Sequence, residues 1–227
     1  MKQMSGRLLV RRTVFLLIGG AIALAFLILA ASLATPLQTD GTVNPRDFTV
    51  LALVPMVTVG LLPGVREVQV AAAQTLLGAS DVTVPEPMGW THRWRTALWT
   101  FLHQVVGFIA GLALALAILV VGSAGTLAAG QAELDVLGEV QRPETVGGWV
   151  LLVGATLAAV MAAAALLVGC GMSAAWSAPL LLGSSGADRL AVAERRLRRE
   201  QEFRRLSRDL HDGVGHALSA ISLQAVA

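Results

Sequence analysis

The chain has 227 residues, of which 55% are hydrophobic and only 14% are charged, and its mean hydropathy is +0.69. Soluble domains contain about 25% charged residues, so this composition excludes an ordinary soluble domain and indicates a membrane protein. The single cysteine, Cys170, lies in an apolar run, which excludes a disulfide framework and a cysteine-based metal cluster. We expect Cys170 to be a small packing residue and expect no metal site.

The N-terminal region predicts a first membrane span. Residues 1–12 contain four basic side chains, and an uncharged run follows from Thr13 to Thr35. The apolar core of a signal peptide is usually about 7 to 15 residues long, which is shorter than this run. About 20 helical residues cover the roughly 30 Å hydrocarbon layer, so the run predicts a transmembrane helix.

The second apolar run, from Phe48 to Leu62, is the least secure span because it is short. Pro55 lies within it and predicts a kink. The segment from Val65 to Leu77 is amphipathic and is followed by Gly78, which predicts a separate helix. We expect this helix to lie at the membrane surface or against the other helices.

The residues from Ala79 to Met88 are rich in proline and acidic side chains and predict a loop. A mixture of indole and basic side chains follows: Trp90, His92, Arg93, Trp94, Arg95 and Trp99. This mixture is typical of the lipid headgroup region, where tryptophans and arginines meet the interface. Because the neighbouring runs are long enough to span lipid, we expect no nucleic-acid partner.

A third span is predicted from Ala97 to Val121, and it contains His103. An ionisable residue in a span is a functional candidate, but the nearby headgroup segment favours an interfacial or packing role for His103 over sensing. After a more polar connection at residues 122–148, a fourth span runs from Trp149 to about Met172. Residues 174–182 continue this span or turn at the far interface, and residues 183–186 form a break.

The distribution of basic residues predicts the orientation. The N-terminus has four, residues 63–96 have three and the segment after residue 188 has eight, whereas residues 36–47 and 122–148 have one each. Under the positive-inside rule, both termini are cytoplasmic and the two poorly basic loops are external. An even number of spans agrees with this arrangement.

The segment after the break changes to a charged helix with apolar residues at intervals. Leu190, Ala193 and Leu197 fit a heptad seam, and Phe203 interrupts it. The next stripe contains Leu206, Leu210, Val214 (or Ala217), Leu218 and Ile221. A solvated single helix is one interpretation, but we prefer a parallel coiled-coil connector, because such a stripe needs a partner helix.

Beside this stripe, the sequence places two histidines and a carboxylate close together. His211 is adjacent to Asp212, and His216 follows one helical turn after Asp212. A carboxylate can fix the tautomer of an imidazole and leave its other nitrogen free to attack an electrophile. Taken alone, such a pair is more often an ordinary solvated histidine on a helix.

The run from Arg208 to Ser219 resembles the phosphoacceptor helix of bacterial two-component sensor histidine kinases, in the subgroup with a short dimerisation domain. The resemblance implies that His211 is the phosphorylated residue and Asp212 the acid/base beside it. It places His216 where relatives position the water that dephosphorylates the response regulator. It also implies a homodimer, a response regulator as partner, and ATP with Mg²⁺ as the needs of the full-length kinase.

The membrane part more weakly resembles the four-helix sensor domain attached to such kinases in actinobacteria. The similar stretches are 62–67, 74–78 and 94–97, with the sequences LPGVRE, QTLLG and WRTA. This resemblance implies a sensor that is read through the lipid bilayer of the bacterial plasma membrane rather than through a large external domain.

The expected organisation is an all-α membrane protein with about four spans at 1–182, a coiled-coil linker at 183–203 and the start of a phosphotransfer domain at 204–227. Asn-bearing and Gly-rich ATP-binding segments are missing before the last residue, Ala227. We therefore expect that the chain binds no ATP by itself and is a kinase fragment or a truncated kinase. The alternative is a non-enzymatic membrane protein whose cytoplasmic helix only oligomerises.

Overall fold

The computed structural model of the chain describes residues 6–37, 44–80, 82, 89–130, 143–184 and 186–225. These residues contain no β-strand. The α-helices among them are α1 (Gly6–Ala34), α2 (Pro45–Thr58), α3 (Val65–Ala72), α4 (Trp90–Ala128), α5 (Val146–Leu182) and α6 (Gly186–Ala225). Single turns of 3₁₀-helix follow α1 at Thr35–Leu37 and α2 at Val59–Leu61, and a π-helical turn extends α3 through Ala73–Leu77.

The chain divides into two compact units, Met1–Gly183 and Ser184–Ala227. In the first unit, α1, α4 and α5 are each long and apolar enough to cross a membrane. The helical stretches Pro45–Leu61 and Val65–Leu77 also qualify as one broken span, bent by 86°. The protein is therefore an all-α membrane protein with three spans, or four if the bent pair is counted, which confirms the predicted fold class.

The directions of α1, α2 and α4 follow from their contacts. Phe15 of α1 packs against Trp99 of α4, and Gly20 lies farther along α1 against Gly107, so the two helices are parallel. Helix α2 and the turn after it run antiparallel to α4. Gln104 of α4 bonds to Met56, whereas Ala97, which comes earlier in α4, lies against Gly60, which comes later than Met56.

Helix α5 runs antiparallel to α4, since Arg95 near the start of α4 reaches Leu180 near the end of α5. One end of the bundle therefore contains the start of α1, the bend before α3, the start of α4 and the end of α5. We call this the basal end and define it by Arg12, Arg66, Arg95 and Leu182.

Local chemistry explains where several helices begin and bend. The Asn44 side chain accepts a 3.0 Å hydrogen bond from the backbone N–H of Arg46, and Pro45 occupies the first turn, so α2 starts there. The sharp bend lies at residues 62–64, where Gly64 has a φ of +87° that favours glycine. The helix α2 continues through Pro55 to Thr58, so the main change of direction comes after the proline.

Two helices are longer than the sequence indicated. Helix α4 begins at Trp90 and ends at Ala128, so it extends beyond the predicted span on both sides. Helix α5 continues through Pro179 to Leu182, so residues 174–182 extend the helix and do not turn away from it. Residues 38–43, 83–88 and 131–142, which belong to three of the predicted connections between helices, lie outside the described residues.

A hydrophobic core lies at the basal end and joins α1, α3, α4 and α5. Its buried members are Phe15, Val70, Ala73, Leu77, Val82, Trp99, Ala178 and Leu182. The expectation that Trp99 lies among the lipid headgroups is wrong, because its side chain is only 2% exposed. His92 is also buried, whereas Trp90 and Trp94 are exposed, so only part of the predicted aromatic segment faces outwards.

Candidate functional site

The three residues singled out from the sequence lie on one uninterrupted helix. Helix α6 is 40 residues long, which corresponds to about 60 Å, and His211, Asp212 and His216 all lie within it. His211 is exposed. The backbone places Asp212 next to His211 and one turn before His216, while the side chains of Asp212 and His216 lie outside the described part of the structure.

The same helix carries a row of exposed apolar side chains, which we call the α6 stripe: Phe203 (75% exposed), Leu206 (62%), Leu210 (66%) and Val214 (51%). Their spacings of three and four residues place them on one face. Large apolar side chains in a row on a charged helix indicate a surface for another helix. The continuation of the stripe to Leu218 and Ile221 falls on side chains outside the described residues.

His211 lies beside the α6 stripe rather than within it. One residue corresponds to a rotation of about 100° on an α-helix, so His211 is about a quarter of a turn from Leu210. Arg208 precedes it by nearly one turn, and the Arg208 Nε donates a 3.3 Å hydrogen bond to the carbonyl of Arg204. A partner helix on the stripe would therefore leave the imidazole accessible from the side.

In the membrane unit, polar side chains of α4 bond to every other helix of the bundle. His103 Nε2 bonds to the Phe15 carbonyl of α1 (2.8 Å), Gln104 Nε2 to the Met56 carbonyl of α2 (3.1 Å) and Trp99 Nε1 to Gln69 Oε1 of α3 (3.1 Å). Arg95 donates to the Leu180 carbonyl of α5. We call these four α4 residues the polar hub; interhelical hydrogen bonds of this kind hold membrane helices together.

The structure places His103 in helix packing. Its side chain is 6% exposed, and its ring stacks on Phe15 with a centroid distance of 3.8 Å and an interplanar angle of 12°. Next to it, α1 and α4 approach at glycines, since a Cβ on Gly20 would lie 2.5 Å from the Gly107 carbonyl oxygen. Small residues permit this approach, and His103 then fills the adjacent space.

Arg66 is a buried residue of the bundle for which the sequence predicted no role of its own. Its side chain is 2% exposed, and its guanidinium donates to the His92 carbonyl (3.3 Å), the Thr96 hydroxyl oxygen (3.0 Å) and the Leu182 carbonyl (2.5 Å). Spacing could have identified it, because Val70, Ala73 and Leu77 follow at four, seven and eleven residues, which places Arg66 on the same apolar face.

Within the described residues, no group of three or more His, Cys, Asp or Glu side chains could hold a metal ion. Cys170 is partly buried in α5. Among the histidine side chains that the structure describes, those of His92 and His103 are buried and that of His211 is exposed.

Comparison with known proteins adds one match. The model of a protein family described as histidine kinase matches residues 202–227, which include His211, Asp212 and His216. No curated protein and no solved structure matches the chain. The matched segment supports a histidine kinase phosphoacceptor and dimerisation region at the end of α6. The chain thus combines an all-α membrane unit with a segment similar to histidine kinases.

Proposed function

We propose that this chain is the membrane-embedded sensor and phosphoacceptor part of a two-component histidine kinase. The observation that carries the proposal is the exposed imidazole of His211 on a long helix, within the segment similar to histidine kinases. The membrane unit would be the four-helix sensor, and α6 would carry its signal to the phosphorylation site.

In the proposed reaction, one ring nitrogen of His211 attacks the γ-phosphorus of ATP. The bond between this phosphorus and the bridging oxygen breaks, an N–P bond forms and ADP leaves. ATP and Mg²⁺ would be bound by an ATP-binding domain that reaches α6 from outside these 227 residues. Asp212 would hold the proton on the other ring nitrogen and stabilise the positive charge that develops there.

The second transfer would consume the phosphohistidine. A carboxylate oxygen of an aspartate in the response regulator attacks the phosphorus, the N–P bond breaks and neutral imidazole is the leaving group. His216, one turn beyond Asp212, would position the water that later hydrolyses the aspartyl phosphate. The role of His216 belongs to the phosphatase half of the cycle and is separable from that of His211.

The proposal requires a homodimer, and the α6 stripe supplies a surface for it. Phe203, Leu206, Leu210 and Val214 are all more than half exposed in the single chain. A second copy of α6 would cover these residues in a parallel pair, as in a coiled coil. His211 would remain at the side of the pair, where a catalytic domain can reach it.

The proposed location is the plasma membrane of a bacterium, with both termini in the cytoplasm. Arg12, Arg66, Arg93 and Arg95 all belong to the segments that meet at the basal end. Under the positive-inside rule, the basal end faces the cytoplasm. Helix α5 ends there and α6 follows in the chain, so α6 would have access to ATP and to a response regulator.

The proposal is tested by phosphorylating the full chain in inside-out membrane vesicles. A histidine kinase ATP-binding domain is supplied in trans with γ-labelled ATP. We expect acid-labile label on the wild-type chain, none on His211→Gln, reduced label on Asp212→Asn and wild-type labelling of His216→Gln. Label that persists in His211→Gln would refute the site. A dimeric wild-type chain that takes up no label would favour the non-enzymatic oligomeric membrane protein.

A further inference from the structure

We propose that Arg66 and Arg95 form a clamp on the end of α5 that sets the register of α6 in the dimer and thereby regulates phosphorylation of His211. This inference rests on the proposed function for its link to His211. The clamp itself consists of contacts within the membrane unit.

The clamp is made by two arginines from different helices. Arg66 of α3 donates from Nη2 to the Leu182 carbonyl at 2.5 Å, and Arg95 of α4 donates from Nη2 to the Leu180 carbonyl. Leu182 is the last residue of α5. Two of the final carbonyls of this helix are therefore held by side chains that come from other helices.

Electrostatics explains why arginine suits this position. The last carbonyls of a helix have no intrahelical donors, and together they give the C-terminus a partial negative charge. The last turn of α5 contains no basic residue of its own. The planar guanidinium offers several donors in fixed directions, so one side chain can join several acceptors.

Arg66 also connects the end of α5 to the bend of the bundle. The residue lies at the start of α3, just after the 86° bend between Pro45–Leu61 and Val65–Leu77. Its Nη1 bonds to the His92 carbonyl and the Thr96 hydroxyl at the start of α4. A change in the angle of the bend would therefore displace the Arg66 guanidinium relative to its partners in α4 and at the last residue of α5.

Stability alone gives a weak reason to keep Arg66 buried. Removing a guanidinium from water costs free energy, and buried charged groups can often be replaced by apolar residues of similar size with no loss of stability. Arg66 is 2% exposed, so it carries this cost. A role in holding the C-terminal end of α5 explains why a buried arginine occupies position 66.

The clamp is close in sequence to the output helix. Helix α5 ends at Leu182 and α6 begins at Gly186, so residues 183–185 form the whole connection. The chain between Leu182 and Gly186 can extend to about 14 Å at most, so a larger displacement of Leu182 must also move the start of α6. Release of the clamp would alter how α6 enters the dimer, and hence which faces of the two copies meet.

Cysteine cross-linking in native membranes tests the clamp. The full chain with Cys170→Ser provides a background without cysteine, and single cysteines are placed along the exposed residues of α6 from Leu190 to Val214. We expect cross-linking between two copies to peak on the α6 stripe, and Arg66→Met and Arg95→Met to shift the peak to other positions. The matched control is Arg93→Met, whose exposed side chain makes no hydrogen bond to a described residue.

The outcomes separate clearly. An unchanged cross-linking pattern in both Arg66→Met and Arg95→Met overturns the clamp, and so does the same shift in Arg93→Met. If Arg66→Met fails to accumulate, Arg95→Met decides alone, because Arg95 is more exposed and its truncation disturbs the core less.

Labelling of His211 by the added ATP-binding domain is measured on the same variants. We expect it to change about fivefold or more, the lower end of common coupling effects. If the cross-linking pattern shifts but His211 is labelled as strongly as in the wild-type chain, the proposal that the clamp regulates phosphorylation is overturned. A shifted pattern in a chain that never takes up label would keep the clamp and reject the proposed function.

Discussion

The Nε2 of His103 donates a 2.8 Å hydrogen bond to the carbonyl oxygen of Phe15, across the contact between α4 and α1. The two rings also stack at 3.8 Å. His103, a histidine within a membrane span, therefore links two parallel helices through a hydrogen bond and a ring contact. It secures α1 to α4, whose polar side chains also bond to α2, α3 and α5.

We expect His103→Phe to weaken this contact moderately. The substitution keeps a ring for stacking on Phe15 but removes the donor, and a lost hydrogen bond costs about 1 kcal/mol. For a chain of this size the thermal midpoint should fall by about 2–4 °C in detergent. Leu102→Phe, a similar enlargement at an exposed neighbouring position, is the control and should change little. Equal midpoints for the two variants would contradict the assignment.

The glycine contact between α1 and α4 gives a second prediction. A Cβ at Gly107 would meet the backbone of Leu16 and Gly20, so Gly107→Ala forces the helices apart. We expect a loss of about 1–3 kcal/mol, measured by thermal unfolding of the solubilised chain. Gly122→Ala on the same helix meets no atom within 4 Å and should be neutral or slightly stabilising. A neutral Gly107→Ala would show that the helices do not pack closely here.

The α6 stripe predicts the effect of a charge in the dimer interface. Leu206→Glu places a carboxylate among apolar side chains, and we expect the dimeric fraction of the full chain to fall strongly in chemical cross-linking. The control is Gln201→Glu, an exposed position about half a turn from Leu210 on the helix. Equal dimer fractions in Leu206→Glu and Gln201→Glu would show that the stripe does not mediate association.

The proposed orientation is tested by labelling cysteines from outside the cell. In the Cys170→Ser background, Glu144→Cys precedes α5 at the end opposite the basal end, whereas Leu190→Cys lies on α6. An impermeant maleimide should label Glu144→Cys in intact cells and Leu190→Cys only after permeabilisation. The reverse pattern would place α6 outside the membrane and remove its access to ATP.

Several features of the fold could be predicted from sequence because they depend on local chemistry. Long uncharged runs gave the three spans, and the glycines after Leu77 and Leu182 marked the ends of helices. Helix lengths were underestimated, since α4 continues to Ala128 through residues that are less apolar. Propensity and packing extend a helix beyond the part that lipid requires.

Tertiary contacts were harder to predict. Trp99 and Arg66 look like interfacial residues when only composition is considered, yet both are 2% exposed. Each is buried because its polar group finds a partner on another helix: Gln69 Oε1 for Trp99, and the Leu182 carbonyl among others for Arg66. Such partners depend on how helices assemble, and a backbone carbonyl gives no signal in a sequence. The local indication for Arg66 was the helical spacing that places it on one face with Val70, Ala73 and Leu77.

The proposal that His211 is the phosphoacceptor is tested most directly by locating the phosphoryl group on the labelled chain. The tryptic peptide that begins at Asp209 contains both His211 and His216, so fragmentation mass spectrometry at neutral to basic pH can distinguish them. We predict fragment ions that place the phosphoryl group on His211. A phosphoryl group on His216, or on a residue outside this peptide, would contradict the account.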